Sequence, residues 1–486
     1  MYLGIDLGTS ELKACLVDSE QRIVGTAAVR LEISRPKPLW SEQAPQAWIG
    51  ALHEAVDALR RRHAAEWGAL RGIAVSGQMH GATLLDRHLE VLRPAILWND
   101  ARSHLECVEL EAAVPQARRI TGNLVMPGFT APKLLWLRKH EPDVFSRVQT
   151  VLLPKDYLSL HLSGELTTEM SDAAGTAWLD VAARDWSDPM LAASGLSRSH
   201  MPTLLEGCQP AGWLRNELKQ RWHVGAQPVV IAAGAADNAA AAVGAGAVSG
   251  GQAIVSLGSS GVILVAADRF ASNPEQAMHS FCHALPARWI QMTVTLSATT
   301  SLSWAASLCR ADSEAAFARA GASADIARAP IFLPYLNGER TPHNDANAKG
   351  VFLGLTASTD AAALAYSVME GVAFSLADGH AALAAAGTHV REAFALGGGS
   401  NSAFWLELVA AAAGTRLAKT EGGGKGGAFG AARLAMLAAR AGSVEQVCTP
   451  PAVVSWVRPD DDLRGRLAPR YQRYRALYAA TRGLMG

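Results

Sequence analysis

The strongest constraint on this chain is a motif that occurs twice, about half a chain apart. Near the start, Ile5-Asp6-Leu7-Gly8-Thr9-Ser10 is flanked by Tyr2 to Gly4 and Leu12 to Val17. Near the middle, Val255-Ser256-Leu257-Gly258-Ser259-Ser260 is flanked by Gln252 to Ile254 and Val262 to Ala266. Each copy is an apolar strand, a turn of glycine followed by two hydroxyl residues, and a second apolar strand, which is the pattern of a β-hairpin. Two such hairpins opening two half-chains predict two similar domains facing each other. Glycine lets backbone approach a ligand closely, and the hydroxyls and N–H groups after it can cradle phosphate oxygens. One copy alone reads as an ordinary turn in which Ser and Thr make local hydrogen bonds. Two matching copies favour a nucleotide whose phosphates are held between them.

At 486 residues the chain exceeds what one ordinary core supports, so two or three domains are expected. Trp48, Leu52, Ala55, Val56 and Leu59 recur at helical spacing within Pro45 to Arg62. Leu70 to Val75 and Gly81 to Leu85 read as short strands, and Asp237 opens an Ala-rich helix reaching about Val243. In the second half, Asp360 to Leu376, Asn401 to Ala413 and Ala428 to Ala439 read as helices, with Ala393 to Leu396 a strand. This alternation predicts packed α/β layers. The Arg-rich stretch Leu463 to Leu477 reads as a surface helix whose charge run is a solvated face.

Several function classes are set aside by charge and patterning. The 44 Lys and Arg balance 44 Asp and Glu, so the basic surplus of a nucleic-acid binder is missing. Asn238 to Ala267 carries no charge and is long enough to span a bilayer. It is broken at Ser249-Gly250-Gly251, however, and reads as a buried helix followed by two buried strands, with no membrane span. Cys15, Cys107, Cys208, Cys282, Cys309 and Cys448 are scattered, which supports neither a metal site nor a disulfide framework. With no secretory signal at the amino terminus, the expected compartment is the reducing cytoplasm.

With these residues in view, the chain resembles the FGGY carbohydrate kinases, a branch of the actin-like ATPase superfamily. Gly4 to Ser10 looks like the first phosphate motif. Gly128-Phe129-Thr130-Ala131-Pro132-Lys133-Leu134-Leu135-Trp136-Leu137 fits the first family signature. Gly350-Val351-Phe352-Leu353-Gly354-Leu355 with Ser367-Val368-Met369-Glu370 fits most of the second, Ala363 replacing the usual polar residue. Among family members, those acting on ketoses are most similar, through Gln78-Met79-His80-Gly81, Leu97-Trp98-Asn99-Asp100, Pro154-Lys155-Asp156-Tyr157, Ser171 to Thr176 and Gly338-Glu339-Arg340-Thr341-Pro342-His343. Glycerol-specific members carry an Arg-Glu pair in place of Met79-His80.

The resemblance implies an α/β fold of two actin-like (ribonuclease H-like) ATPase domains flanking a catalytic cleft. Residues 1–246 would hold the sugar site, the general base and the first phosphate turn; residues 247–486 would hold the second turn and the adenosine site. ATP with Mg²⁺ is the implied phosphoryl donor and D-xylulose the implied acceptor. Another ketose or a polyol, and a non-catalytic ATP-binding switch, are the alternatives. Neither nucleic acid nor membrane is expected as a partner, and a homodimer is expected because many relatives form one.

Residue by residue, Asp237 in Gly234-Ala235-Ala236-Asp237-Asn238 matches the segment bearing the general base, although an Asp before a helix is equally well placed as an N-cap. An Asp of ordinary basicity would serve, because proton transfer lags in a loose phosphoryl transfer. Ala235 and Ala236 replace frequent glycines and would narrow the phosphate approach if their methyls faced it. Asp6 corresponds to the acidic residue that holds Mg²⁺, directly or through water. Met79 and His80 would bind the ketose, with Trp98, Asn99, Asp100 and Asn238 around them; Trp98 reads equally well as a core residue. Gly8, Thr9, Ser10, Gly258, Ser259 and Ser260 would contact phosphate. Lys13 would bind the nucleotide beside the first turn and could offset Glu11 there. Gly397-Gly398-Gly399-Ser400-Asn401 would hold the adenosine, and Gly423 to Gly427 would line the same cleft.

Overall fold

The computed structural model describes residues 1–421 and 426–485. Gly423, Gly424 and Lys425, expected beside the nucleotide, lie outside the described residues. In the first half, β1 (Tyr2–Leu7), β2 (Glu11–Val17) and β3 (Ile23–Arg30) are followed by α1 (Pro45–Arg62), β4 (Gly72–Gly77), α2 (Thr130–His140), α3 (Pro154–Ser163), β5 (Pro210–Trp213), β6 (Val230–Ala236) and α4 (Asp237–Gly244). The second half opens with β7 (Ala253–Leu257) and β8 (Gly261–Ala267), then β9 (His279–Cys282), β10 (Trp289–Thr295), α5 (Thr299–Leu308) and α6 (Glu314–Ala322). It closes with α7 (Ala361–Ala385), β11 (Glu392–Leu396), α8 (Ala403–Ala413), β12 (Arg416–Thr420), α9 (Gly426–Ala438), β13 (Val453–Val457) and α10 (Asp461–Thr481). Shorter elements lie between these.

The duplicated turn joins duplicated sheets. The first is six-stranded in the order β5-β6-β4-β1-β2-β3, the second seven-stranded in the order β9-β10-β8-β7-β11-β12-β13. In each, a hairpin pairs antiparallel with a third strand on one side and parallel with two strands on the other, giving β3-β2-β1-β4-β6 and β10-β8-β7-β11-β12. Parallel strands need covered faces. One face of the first sheet packs Leu3, Ile5, Leu7, Ile73 and Val75 against Trp48, Leu52, Leu158 and Leu162 of α1 and α3. In α1 the buried residues Trp48, Ala51, Leu52, Ala55, Val56 and Leu59 keep the predicted helical spacing, Pro45 sits in the first turn, and Arg60 to Arg62 stand at the negative end of the helix dipole.

The other face of that sheet is covered by α9, which comes from far along the chain. Ala431, Leu434 and Ala435 of α9 share a core with Tyr2, Ala74 and Ala232, and Ala428 and Ala432 pack on Cys15 and Val17. The approach is backbone on backbone: a Cβ on Gly4 would stand 1.8 Å from the Ala428 carbonyl oxygen, and one on Gly430 would stand 1.8 Å from the Ala240 carbonyl oxygen of α4. A division at residue 246 separates the two sheets but not the two packed bodies, because α9 belongs to the first by contact. Arg433 fastens it there, donating to the Val243 and Gly244 carbonyls at 2.9 and 3.2 Å, to Gln21 at 3.0 Å and to the Thr449 carbonyl at 2.9 Å.

Two other expectations are adjusted. The Arg-rich helix α10 is amphipathic, with Leu463, Leu467, Arg470, Tyr474, Leu477 and Tyr478 buried. Arg470 turns inward onto Glu370 of α7 at 2.6 and 2.7 Å, so one of the charges read as solvated is part of a buried pair. The uncharged run Asn238 to Ala267 becomes most of α4, β7 and β8, and no helix among the described residues is long and apolar enough to cross a membrane.

Candidate active site

The carboxyl ends of β1, β4 and β6 meet where the first turn begins, as ligand sites do in parallel α/β sheets. Asp6 pairs in register with Ser76 of β4, and its Oδ1 accepts from the Ser76 hydroxyl at 2.8 Å. Burial raises its pKa above the ordinary Asp value. Asp237 follows β6 directly. Burial pushes its carboxyl up to about 7, with the Asp6 charge adding to the shift, so it is a stronger base than an ordinary Asp. Its Oδ1 accepts from the Asn238 N–H at 2.6 Å and the Asn238 amide at 2.9 Å. The cap position of α4 belongs to Ala236, so Asp237 is the first residue of the helix and does not act as its N-cap. The Ala235 and Ala236 methyls lie in the core.

A cavity of about 410 Å³ opens beside Asp237 between the two halves. Its first wall is Met79, His80, Trp98, Asp237 and Asn238. Its second wall is one face of the second sheet: register across β8, β10 and β9 sets Val262 opposite Val294 and places Met292 beside His279, all on the cavity side with Phe281. Ser260 and Arg340 complete it. His80 has φ of +67°, a conformation that costs energy for a residue with a Cβ. Four contacts hold it. Its Nδ1 lies 2.5 Å from the Gly175 carbonyl, its ring stacks on Phe129 at 4.7 Å, and its carbonyl accepts from Lys133 Nζ at 2.8 Å and Thr130 Oγ1 at 3.1 Å. Burial takes the imidazole down to about 3, so it is neutral, and takes the Lys133 ammonium down to about 7.

The flanking residues divide. Trp98 is 46% exposed, so it is no core residue, and its indole N–H donates to the Thr9 hydroxyl at 2.9 Å. Asn99 lies outside this cavity, on a separate groove formed by residues 35–41. Asp100 is buried away from the cavity, with its carboxylate taken by Arg102 at 2.9 and 2.7 Å and by the Ser41 N–H at 2.6 Å. Its role is to fix the loop. The Thr9 hydroxyl, expected on phosphate, is used within the protein: it donates to Gln78 at 3.0 Å and accepts from Trp98. Lys13, expected on the nucleotide, pairs with Glu11 at 2.9 Å on the surface, so the two charges offset each other.

The two turns differ in how they are held. The Gly8 N–H donates to the Glu11 carbonyl at 3.0 Å, which leaves Ser10 on the outer side of the turn. The Gly258 and Ser259 carbonyls accept from the start of α5, through the Thr299 N–H at 2.9 Å, the Ala298 N–H at 2.8 Å and the Thr300 hydroxyl at 2.5 Å. Gly397 has φ of +85°, and a Cβ there would stand 2.6 Å from the Leu257 carbonyl oxygen, so only glycine lets this loop touch the second turn. Gly398–Asn401 form a 3₁₀ turn in which the Ser400 hydroxyl donates to the Gly397 carbonyl at 2.6 Å. Gly398, Gly399 and Asn401 line a second cavity, of about 650 Å³, together with Thr299, Leu302, Glu314 and Arg319 of α5 and α6. Its size and glycine floor suit a purine nucleoside, and it begins where the second turn ends.

Among the described residues no group of three or more His, Cys, Asp or Glu side chains converges on a metal site. A Mg²⁺ is nevertheless compatible with the oxygen donors here, since it commonly uses one or two carboxylates with phosphate and water. Asp6 and Asp237 are such a pair, and a Cβ on Gly427 would come within 2.8 Å of the Asp6 carboxyl, so that glycine keeps the space beside it open.

Sequence reasoning gave no role to His279, Phe281, Arg340, Lys133 or Gly175. The available signals were the Gly128 to Leu137, Ser171 to Thr176 and Gly338 to His343 stretches, which carried the family resemblance without indicating which side chain faced a ligand, and His279 and Phe281 lie in none of them. Residues 1–244 match the N-terminal domain of the FGGY family of carbohydrate kinases and residues 253–439 its C-terminal domain. The chain is 49% identical over 488 residues to a xylulose kinase of Escherichia coli (strain K12), covering all of both, and 48% identical over 487 residues to a xylulose kinase of Klebsiella pneumoniae, again covering all of both. A solved structure described as a xyloylose kinase from Brucella ovis superposes with a TM-score of 0.96 at 49% identity, covering 99% of each chain.

Proposed function

The chain belongs to the FGGY family of carbohydrate kinases, and from that premise we propose that it transfers the γ-phosphoryl group of ATP to the 5-hydroxyl of D-xylulose, giving D-xylulose 5-phosphate and ADP. The observation that carries this reading is the position of Asp237. Its carboxylate lines the sugar-sized cavity, adjoins Asp6 at the phosphate turn and has the basicity of a group poised near neutrality.

In this reading D-xylulose lies between Met79, His80 and Trp98 on one side and the face of the second sheet on the other. Neutral His80 and the Asn238 amide can donate to or accept from its hydroxyls. Asp237 takes the proton of the attacking hydroxyl as the phosphoryl group leaves ADP, and the Asn238 N–H holds that carboxylate at the correct edge of the cavity. The phosphates rest between the Gly8-Thr9-Ser10 and Gly258-Ser259-Ser260 turns, and the nucleoside lies on Gly397 to Asn401. Asp6 would hold Mg²⁺, directly or through water, and the ion would supply charge neutralisation to the phosphate oxygens. Closure of the two halves on the sugar would exclude water, the competing acceptor. Cys107, Cys208, Cys282, Cys309 and Cys448 are free thiols, which supports a reducing compartment such as the cytoplasm.

The test is coupled ADP release with Mg-ATP and D-xylulose, run beside D-ribulose, L-xylulose, glycerol and xylitol, with Asp237→Ala in parallel. Turnover favouring D-xylulose and lost in the variant supports substrate and base together. Preference for another sugar retains the kinase and removes the substrate, whereas ATP binding without sugar-dependent turnover removes both.

A further inference from the structure

Among the described residues, Arg340 is the one cationic side chain lining the sugar cavity. Burial pulls its pKa below the ordinary Arg value, and no carboxylate lies within ion-pair distance of it among the described residues. The neighbouring Glu339 carboxylate is consumed by the Thr295 hydroxyl at 2.5 Å, the Leu296 N–H at 3.0 Å, the Arg340 N–H at 2.7 Å and the Ser375 hydroxyl at 3.0 Å. Burying a guanidinium without a counter-charge is costly, so a purely structural Arg here would lack its usual compensation.

Its direction is nevertheless fixed. Arg340 donates to His279 Nε2 at 3.2 Å, and since Arg has no acceptor, Nε2 must be the unprotonated nitrogen. The proton is then on Nδ1, which donates to the Asn123 side-chain Oδ1 at 3.2 Å, itself also held by the Ser280 N–H at 3.0 Å. This chain from Asn123 through His279 aims the remaining guanidinium donors into the cavity. His279 stacks on Phe281 at 5.4 Å and lies 6.3 Å from Phe129 beneath His80, so Arg340 belongs to the part of the cavity lined by these rings. Asp237 adjoins Asp6 and the phosphate turns instead.

We propose that Arg340, oriented by His279, reads the keto oxygen of an open-chain ketose and thereby sets preference for a ketose over the corresponding alditol. This inference rests on the sugar-kinase reading above. A keto oxygen only accepts, which matches a donor-only guanidinium. The alditol hydroxyl at the same carbon can accept the same bond. Its own proton would then meet a wall of Val262, Phe281, Met292 and Val294, and leaving a buried donor unpaired is penalised.

The experiment compares D-xylulose with xylitol at saturating Mg-ATP for wild type, Arg340→Met, Arg340→Lys and His279→Ala, using kcat/KM, or Ki where xylitol only inhibits. Thermal melting and ATP affinity check that each variant is folded. Arg340→Met is expected to lose roughly tenfold to a hundredfold on D-xylulose and far less on xylitol, collapsing the ratio between them. Arg340→Lys should recover part of the ratio, and His279→Ala should lower it while leaving the donor in place. A folded Arg340→Met variant that loses both sugars alike, or keeps the wild-type ratio, overturns this inference alone. A wild type that prefers xylitol to every ketose overturns both this inference and the substrate assignment.

Discussion

Replacing Gly430 and Gly50 by alanine makes one chemical change in two helices and should move stability in opposite directions. Both glycines are inside helices, so each alanine gains about 1 kcal/mol of helix propensity. Nothing lies within 4 Å of a Cβ at Gly50, so Gly50→Ala should be neutral or more stable by up to about 1 kcal/mol. At Gly430 the new Cβ would stand 1.8 Å from the Ala240 carbonyl oxygen, 2.6 Å from its carbonyl carbon and 3.0 Å from the Gly244 nitrogen. These are backbone atoms and no rotamer relieves them, so α9 and α4 must part by about 1.5 Å in a close-packed interior. Overpacking of that kind costs about 3 kcal/mol or more when neither side yields. Gly430→Ala should therefore be less stable than wild type by about 2 kcal/mol, and less stable than Gly50→Ala by about 3 kcal/mol. Urea unfolding reads the difference as a displaced midpoint at constant slope. Gly427, in the same helix, borders Asp6, so KM for ATP should rise in Gly430→Ala and stay unchanged in Gly50→Ala. Coincident midpoints for the two variants would refute the tight packing of α9 on α4.

Three further outcomes are expected. On the proposed role of Asp237 as the base, with its carboxyl near 7, kcat/KM for D-xylulose should fall as pH drops below about 7 and level off above it; a flat profile from pH 5.5 to 8 would remove that role. The same raised pKa destabilises the ligand-free protein as pH rises: the folded state holds the proton above the unfolded value of 3.8, and that contribution is lost by about 7. Asp237→Asn should accordingly unfold at higher urea than wild type at pH 8, by on the order of a few kcal/mol, with the gap closing toward pH 4; an equal gap at both pH values would contradict it. Gly175→Ala would bring a Cβ to 2.5 Å from the His80 ring and 2.7 Å from the Met79 terminal methyl, so KM for the sugar should rise at least about tenfold while KM for ATP stays near wild type. Parallel rises in both would point to a general disturbance.

What could be read from sequence was whatever repeats or keeps a period. The twin hairpins are visible because two copies of one turn support each other, and α1 because its buried positions return every three or four residues. Asp237 was legible from its segment, but its basicity was not, since burial and the nearness of Asp6 are properties of the folded chain. Asp100 misled for a simple reason: a polar residue in a family motif looks like a ligand until Arg102, two positions on, is seen to take both its oxygens. The second wall of the cavity beside Asp237 was invisible because His279, Phe281 and Met292 are ordinary strand residues, and only the pairing of β9 with β10 brings them to one face. The return of α9 to the first sheet leaves no local mark either. Its glycines and alanines look like any small-residue helix until the opposing backbone is known.

That return has a consequence for synthesis. The first sheet is complete once β6 ends at Ala236, but the helix that covers its second face spans Gly426–Ala438. A nascent chain emerging from the ribosome therefore carries Tyr2, Ala74 and Ala232 without their cover while nearly the whole second half is being translated. Folding cannot proceed one half after the other, as it does for a chain of independent beads. The amino-terminal half remains unfinished until Gly426–Ala438 has been made, so its native packing waits on the second half of the chain.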